Sequence, residues 1–164
     1  IFNMLGPLIN PAGANVQVLG VYAPSLVELY ARALRELGSK RALVVHGMDG
    51  LDEISVCAPT RVAELKDGEV RLYELHPEIL TGTMYESSEL VGGDPAENAR
   101  ILRNILAGRE RGAKRTVALV NAAAAIYVAG LAPTLKEGYE VAAESVDSGR
   151  ALAKLEQLIA DSQS

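Results

Sequence analysis

Residues 16–47 read VQVLGVYAPSLVELYARALRELGSKRALVVHG, and how this stretch divides decides the fold. VQVLGVY (16–22) is β-rich and mostly apolar, which suits a strand buried on both faces. Ser25, with Glu28 three residues on, forms a capping-box pattern. Leu26, Leu29, Tyr30, Ala33, Leu34 and Leu37 then recur at helical spacing, so one stripe faces a core. Gly38 is a natural helix stop, and RALVVHG (41–47) reads as a second buried strand. Strand, helix and strand within ~30 residues make a βαβ unit.

Upstream, LGPLINPAGAN is loop-like, because its prolines fix φ and remove backbone donors. Downstream, RVAEL and VRLYEL predict two strands joined by a hairpin around Asp67–Gly68. HPEILTGTMYESSELVGG predicts an irregular surface excursion. Asp94 caps a further helix, with Pro95 at its first position, Glu97 three residues on, Ala99, Leu102 and Leu106 as its inner stripe, and Gly108 as its stop. TVALVN (116–121) reads as another buried strand, with Asn121 capping a small-residue helix, AAAAIYVAG. Thr134 and Glu137 open another helix, and GRALAKLEQLIADSQS closes the chain as a helix with Leu152, Leu155, Leu158 and Ile159 on one face. The alternation predicts an α/β fold: a mixed, largely parallel sheet flanked by helices on both faces, forming one domain over 1–164.

The second strand runs into HGMDGLDE (46–53). In open α/β sheets ligands bind beyond the carboxyl ends of strands, which is where this loop begins. Consecutive carboxylates on a strand point to opposite faces. In a loop, Gly47 and Gly50 permit dihedrals that turn Asp52 and Glu53 toward one cation. Carboxylate oxygens suit Mg²⁺, which favours one or two carboxylates together with waters and substrate phosphates, so the loop points to a phosphorylated ligand. A solvated turn is the plainer reading of the same pair. Asp49 is a further ligand or a turn former, and His46 reads as a hydrogen-bonded strand-end residue rather than a catalyst.

The totals narrow the field. With 164 residues, 49% of them hydrophobic and 23% charged, the chain has the composition of a globular domain. A net charge of -5 without a basic stripe disfavours a nucleic-acid partner. No stretch approaches the ~20 apolar residues of a membrane helix. The single cysteine, Cys57, rules out an internal disulfide framework and points to a reducing compartment. The start at Ile1, without a Met, gives the expectation that the chain is the downstream piece of a longer protein.

IFNMLGPLINPA (1–12), QVLGVY (17–22), LRELGSKRALVVHGMDGLDEIS (34–55), GGDPAENA (92–99) and NAAAAIYVAG (121–130) together resemble the C-terminal α/β domain of the anthranilate phosphoribosyltransferases, in the same order along the chain. The resemblance implies transfer of a phosphoribosyl group from phosphoribosyl pyrophosphate to anthranilate in tryptophan biosynthesis, with Mg²⁺ as cofactor and a cytoplasmic location. It places magnesium on Asp52 and Glu53 and makes Gly6 and Pro7 candidate substrate contacts. It calls for no nucleophilic side chain in this chain. It also implies that the family's glycine-rich phosphate loop, its Lys-His-Gly-Asn segment, its acceptor-contacting arginine and most of its dimer-forming helical domain precede Ile1. The expectation is therefore that the fragment alone is inactive and that the full-length protein is a homodimer. Gly92–Gly93–Asp94 is superficially like a phosphate loop, but its context is a helix cap. Two alternatives are weaker. A pyrimidine nucleoside phosphorylase would not be expected to carry HGMDGLDE, and a non-catalytic nucleic-acid-binding relative conflicts with the charge.

Overall fold

The computed structural model describes residues 6–9 and 13–163. Residues 1–5 and 10–12 of the proline-rich opening segment, and Ser164, lie outside the described residues. Strands β1 (Val16–Gly20), β2 (Arg41–Gly47), β3 (Thr60–Lys66) and β4 (Glu69–Leu75) form one sheet in the order β1-β2-β3-β4. Helix α1 (Leu26–Glu36) connects β1 to β2, which are parallel, as the βαβ reading requires. The β2–β3 and β3–β4 pairs are antiparallel. The β3–β4 turn places Asp67 at φ 52° and Gly68 at φ 79°, the left-handed pair of a two-residue hairpin.

After β4 come short α2 (Pro77–Thr81), a 3₁₀ turn (Ser87–Leu90), α3 (Pro95–Leu106), α4 (Ala113–Val128), α5 (Leu135–Asp147) and α6 (Arg150–Ser162). The sheet is mixed and covered by helices on both faces, as expected. Alternate residues of β2 serve the two faces. Ala42 and Val44 meet Val27, Tyr30, Ala31 and Leu34 of α1. Leu43 and Val45 meet Val120, Ala124 and Val128 of α4. Each fully buried Val or Leu contributes roughly 1.5–3 kcal/mol, so β2 is the strand both cores depend on.

The segment 116–121 corrects the sequence reading. It is not a strand but the first half of α4. Buried residues recur at Thr116, Leu119, Val120, Ala123, Ala124 and Val128, a helical spacing that runs straight through Asn121. Losing that strand leaves one parallel pair and two antiparallel pairs among the described strands, so the sheet is less parallel than expected.

Smaller differences concern helix faces. Ser25 makes no side-chain capping bond. Its partner in the predicted box, Glu28, pairs instead with Arg32 one turn on, at 2.6 Å. Leu29 and Leu37 are exposed, and the buried stripe of α1 is Val27, Tyr30, Ala31 and Leu34. On α3 the buried position is Ile105, while Leu102 is exposed. Leu158 of α6 is also exposed. Asp94 and Thr134 do cap α3 and α5, accepting from the amides of Glu97 at 2.8 Å and Glu137 at 3.2 Å. The polar segment after β4 is more ordered than predicted, since it holds α2 and the 3₁₀ turn with its capping box at Glu86.

Candidate functional site at the strand ends

β2 ends at Gly47, and the acidic loop turns back at once. Gly47 donates to the Leu51 carbonyl at 2.8 Å, and Met48 donates to the Pro59 carbonyl at 2.9 Å. Inside the turn, the Ser55 hydroxyl donates to Asp49 at 2.6 Å and accepts from the amides of Cys57 and Ala58. Asp49 is thus engaged as the internal brace of the loop. His46 is buried and donates from Nδ1 to the Val21 carbonyl at 2.8 Å, tying the end of β2 to the chain leaving β1. That is the strand-end role read from the sequence.

Asp52 and Glu53 stand exposed on the crest of this loop. The backbone beneath them is held at both ends. A Cβ placed on Gly20 would lie 1.6 Å from the Asp52 carbonyl oxygen, so only glycine lets the loop rest on the end of β1. On the far side the Asn121 carboxamide pairs with the Ile54 backbone, accepting from its N–H at 2.9 Å and donating to its C=O at 2.9 Å.

The side chains open into two clefts. Asp52 lines one of about 220 Å³ with Pro7, Leu19, Gly20, Val21, Tyr22, Leu26 and Tyr30. Glu53 lines another, of about 370 Å³ and more apolar, with Leu51, Gly92, Asn98, Ile101, Ile105 and Lys114 among its walls. The fold therefore brings Pro7 and Asp52 to one cleft and sends Glu53 into a different one. Gly6 is exposed in the 3₁₀ turn beside Pro7, and a Cβ there would meet nothing within 4 Å. Gly92–Gly93–Asp94 is a helix cap, as the sequence suggested. Asn98 brackets Gly93, accepting from its N–H and donating to its C=O, both at 2.9 Å.

Partial burial pushes the Glu53 carboxyl above the ordinary glutamate range, and the neighbouring charges of Asp52 and then Asp49 add to the shift. The two carboxylates are consecutive on the crest and open into separate clefts. A cation beside a carboxylate favours its ionised form. Among the described residues no three His, Cys, Asp or Glu side chains converge into a protein cage for a metal. A pair of hard carboxylates that leaves most coordination positions to water and phosphate fits the habit of Mg²⁺.

Sequence reasoning missed Asn121, Tyr22, Tyr30 and Lys114. Asn121 was hidden by the strand assignment. The spacing of buried residues through it was the available signal. The tyrosines and Lys114 reach the clefts only through tertiary packing.

The sequence profile of the "Glycosyl transferase family, a/b domain" matches residues 1–152. An anthranilate phosphoribosyltransferase of Syntrophobacter fumaroxidans is 58% identical over 159 residues, which are 97% of this chain and 47% of that protein. The chain thus spans about half the length of the curated relatives it matches. The crystal structure of anthranilate phosphoribosyltransferase from Thermus thermophilus superposes with a TM-score of 0.88 at 43% identity, covering 97% of this chain and 46% of that one. The Saccharomyces cerevisiae enzyme in complex with PRPP and Mg gives a TM-score of 0.82 at 33% identity, covering 94% of this chain and 45% of that one. With nearly its whole length inside the family profile, the chain belongs to the glycosyl transferase family and carries its a/b domain.

Proposed function

We propose that this chain is the α/β domain, residues 1–164, of an anthranilate phosphoribosyltransferase. The protein containing it transfers the phosphoribosyl group of phosphoribosyl pyrophosphate to the anthranilate amine, releasing pyrophosphate, as a cytoplasmic homodimer in tryptophan biosynthesis. The observation that carries the reading is the shared cleft of Pro7 and Asp52 at the end of β1, with Glu53 as the next residue on the same braced crest. Relatives of that name match along nearly the whole chain, and one of them is in complex with PRPP and Mg.

The chemistry asks for little covalent participation by protein. Cleavage at the anomeric carbon leaves cationic character on the sugar and negative charge on the departing pyrophosphate. When bound, Mg²⁺ supplies Lewis-acid stabilisation of that leaving charge. Asp52 and Glu53 provide anionic oxygens for it, and both side chains are exposed and so free to turn toward a common ion. Pro7, with its fixed φ, stands in the wall of the Asp52 cleft, and the exposed Gly6 beside it carries no side chain, an arrangement that suits a flat aromatic acceptor. No residue here acts as nucleophile, and catalysis rests on positioning and charge. No helix among the described residues is long and apolar enough to cross a membrane.

The test uses the full-length protein with anthranilate, phosphoribosyl pyrophosphate and Mg²⁺, following loss of anthranilate fluorescence. Asp52→Asn combined with Glu53→Gln is expected to remove the Mg²⁺ dependence and most of the rate while the circular dichroism spectrum is retained. A double variant that performs like the parent would remove the metal assignment.

A further inference from the structure

We propose that Asn121 is a positioning residue for the acidic crest. Its side-chain amide, reaching out from the middle of α4, fixes the backbone that carries Asp52 and Glu53 and thereby sets how well they hold a divalent cation. The inference rests on the phosphoribosyl-transfer reading and adds to it a residue that touches neither substrate nor metal.

The geometry is specific. A helix has no free backbone donors or acceptors along its flank, so α4 has only side chains with which to grip a neighbouring loop. A carboxamide is the short side chain that carries both a donor and an acceptor. Asn121 uses both on one residue: Oδ1 accepts from the Ile54 N–H at 2.9 Å, and Nδ2 donates to the Ile54 C=O at 2.9 Å. Nδ2 also donates to the Val117 carbonyl one turn back at 3.0 Å, which fixes the amide on its own helix. Ile54 is buried in the core beside Val120 and Ala124 of the same helix, so the clamp and the packing agree.

Ile54 follows Glu53 directly, and Asp52 precedes it with its carbonyl pressed on Gly20. The segment 52–54 is therefore fixed from β1 on one side and from α4 on the other. Asp49, Asp52 and Glu53 all belong to this one loop, with Asp49 held inside it by the Ser55 hydroxyl. Without the grip at Ile54, the backbone that carries Asp52 and Glu53 keeps only its contact with Gly20, and the two side chains lose the fixed base from which to turn toward one ion. Groups that orient metal ligands from behind commonly set metal affinity by about 10–100-fold.

The experiment compares Asn121→Ala and Asn121→Asp with the parent in the full-length protein. Three quantities are read: amide exchange at Ile54, Mn²⁺ binding by electron paramagnetic resonance with pyrophosphate present, and the Mg²⁺ concentration that half-saturates turnover. Asn121→Ala is expected to lose Ile54 protection, to weaken Mn²⁺ binding by about tenfold or more, and to raise the Mg²⁺ requirement equally, with kcat at saturating Mg²⁺ close to the parent. Asn121→Asp keeps the acceptor for the Ile54 N–H but sets a carboxylate oxygen against the Ile54 and Val117 carbonyls, so it keeps part of the Ile54 protection, binds Mn²⁺ with intermediate affinity, and decides the matter should Asn121→Ala fail to fold. Loss of stability or of kcat with Mn²⁺ affinity and Mg²⁺ requirement unmoved would make Asn121 merely structural and overturn the proposal. A parent protein without phosphoribosyl transfer would overturn the functional reading instead, and the Ile54 and Mn²⁺ measurements would still judge the clamp.

Discussion

Glu53 shows most clearly what the site costs the fold. Its carboxyl holds a proton more tightly in the folded protein than an ordinary glutamate does, first through burial and then through Asp52 and Asp49. A raised folded value means that its contribution favours folding fully at pH below the ordinary glutamate range and is lost as pH rises through the raised value. Once ionised, the group therefore works against folding. In a pH series, Glu53→Gln is expected to leave the melting temperature unchanged or higher at the alkaline end, where the parent carboxyl is ionised, while the Mg²⁺-dependent rate collapses. A clear fall in melting temperature would show that Glu53 is held by favourable contacts instead. The same shift makes protons compete with metal at higher pH than for an unperturbed glutamate, so Mg²⁺ affinity in a pH series should begin to fall before an ordinary carboxylate titrates. Gly20 is the complementary residue. Gly20→Ala puts a methyl into the Asp52 carbonyl and should lower stability by about 1–3 kcal/mol in urea unfolding, with a larger proportional loss of activity. The place of Asp52 and Glu53, exposed on a loop at the end of β2, was legible because an apolar strand running into a glycine-rich acidic stretch follows a local rule. Asn121, Tyr22 and Lys114 were not legible, because their roles exist only after α4 and the β1 exit have packed against the loop.

At the scale of elements, the βαβ unit and the hairpin follow from patterns that local physics enforces. β1 and β2 are apolar runs either side of an amphipathic helix, and Asp67–Gly68 supplies the left-handed pair a tight turn requires. The misassigned element, α4, shows why short apolar runs mislead. TVALV has β-branched residues, but its buried positions belong to a helix that continues through the alanines. Those alanines do what small residues permit, which is close approach. A Cβ on Gly138 of α5 would lie 2.7 Å from the Ala123 carbonyl oxygen, so α4 and α5 meet almost backbone to backbone. Gly138→Val should destabilise by about 1–3 kcal/mol, read as a lower urea midpoint. Because α4 also carries Asn121, the variant should raise the Mg²⁺ requirement as well. Destabilisation without that change would mean that the α4–α5 seam and the acidic loop are independent.

The whole molecule brings the acidic loop, the Pro7 turn and two clefts to the carboxyl ends of a parallel strand pair, the position that open α/β sheets reserve for ligands. The chain covers 47% of a relative's length, and a transfer between two substrates needs phosphate and acceptor contacts beyond two carboxylates and a proline. The chain of 164 residues alone is therefore expected to give no phosphoribosylanthranilate from anthranilate, phosphoribosyl pyrophosphate and Mg²⁺, and measurable turnover by it would contradict this division of labour. The central claim is narrower: neighbouring carboxylates on a braced crest take up a divalent ion that arrives with a diphosphate. Its most direct measurement is Mn²⁺ binding by electron paramagnetic resonance to the full-length protein, with and without pyrophosphate, in the parent and in Asp52→Asn/Glu53→Gln. Pyrophosphate should tighten Mn²⁺ binding in the parent, and the double variant should lose about tenfold or more of that affinity, roughly 1.4 kcal/mol. Equal Mn²⁺ affinity in the two proteins, with pyrophosphate present, would contradict the account.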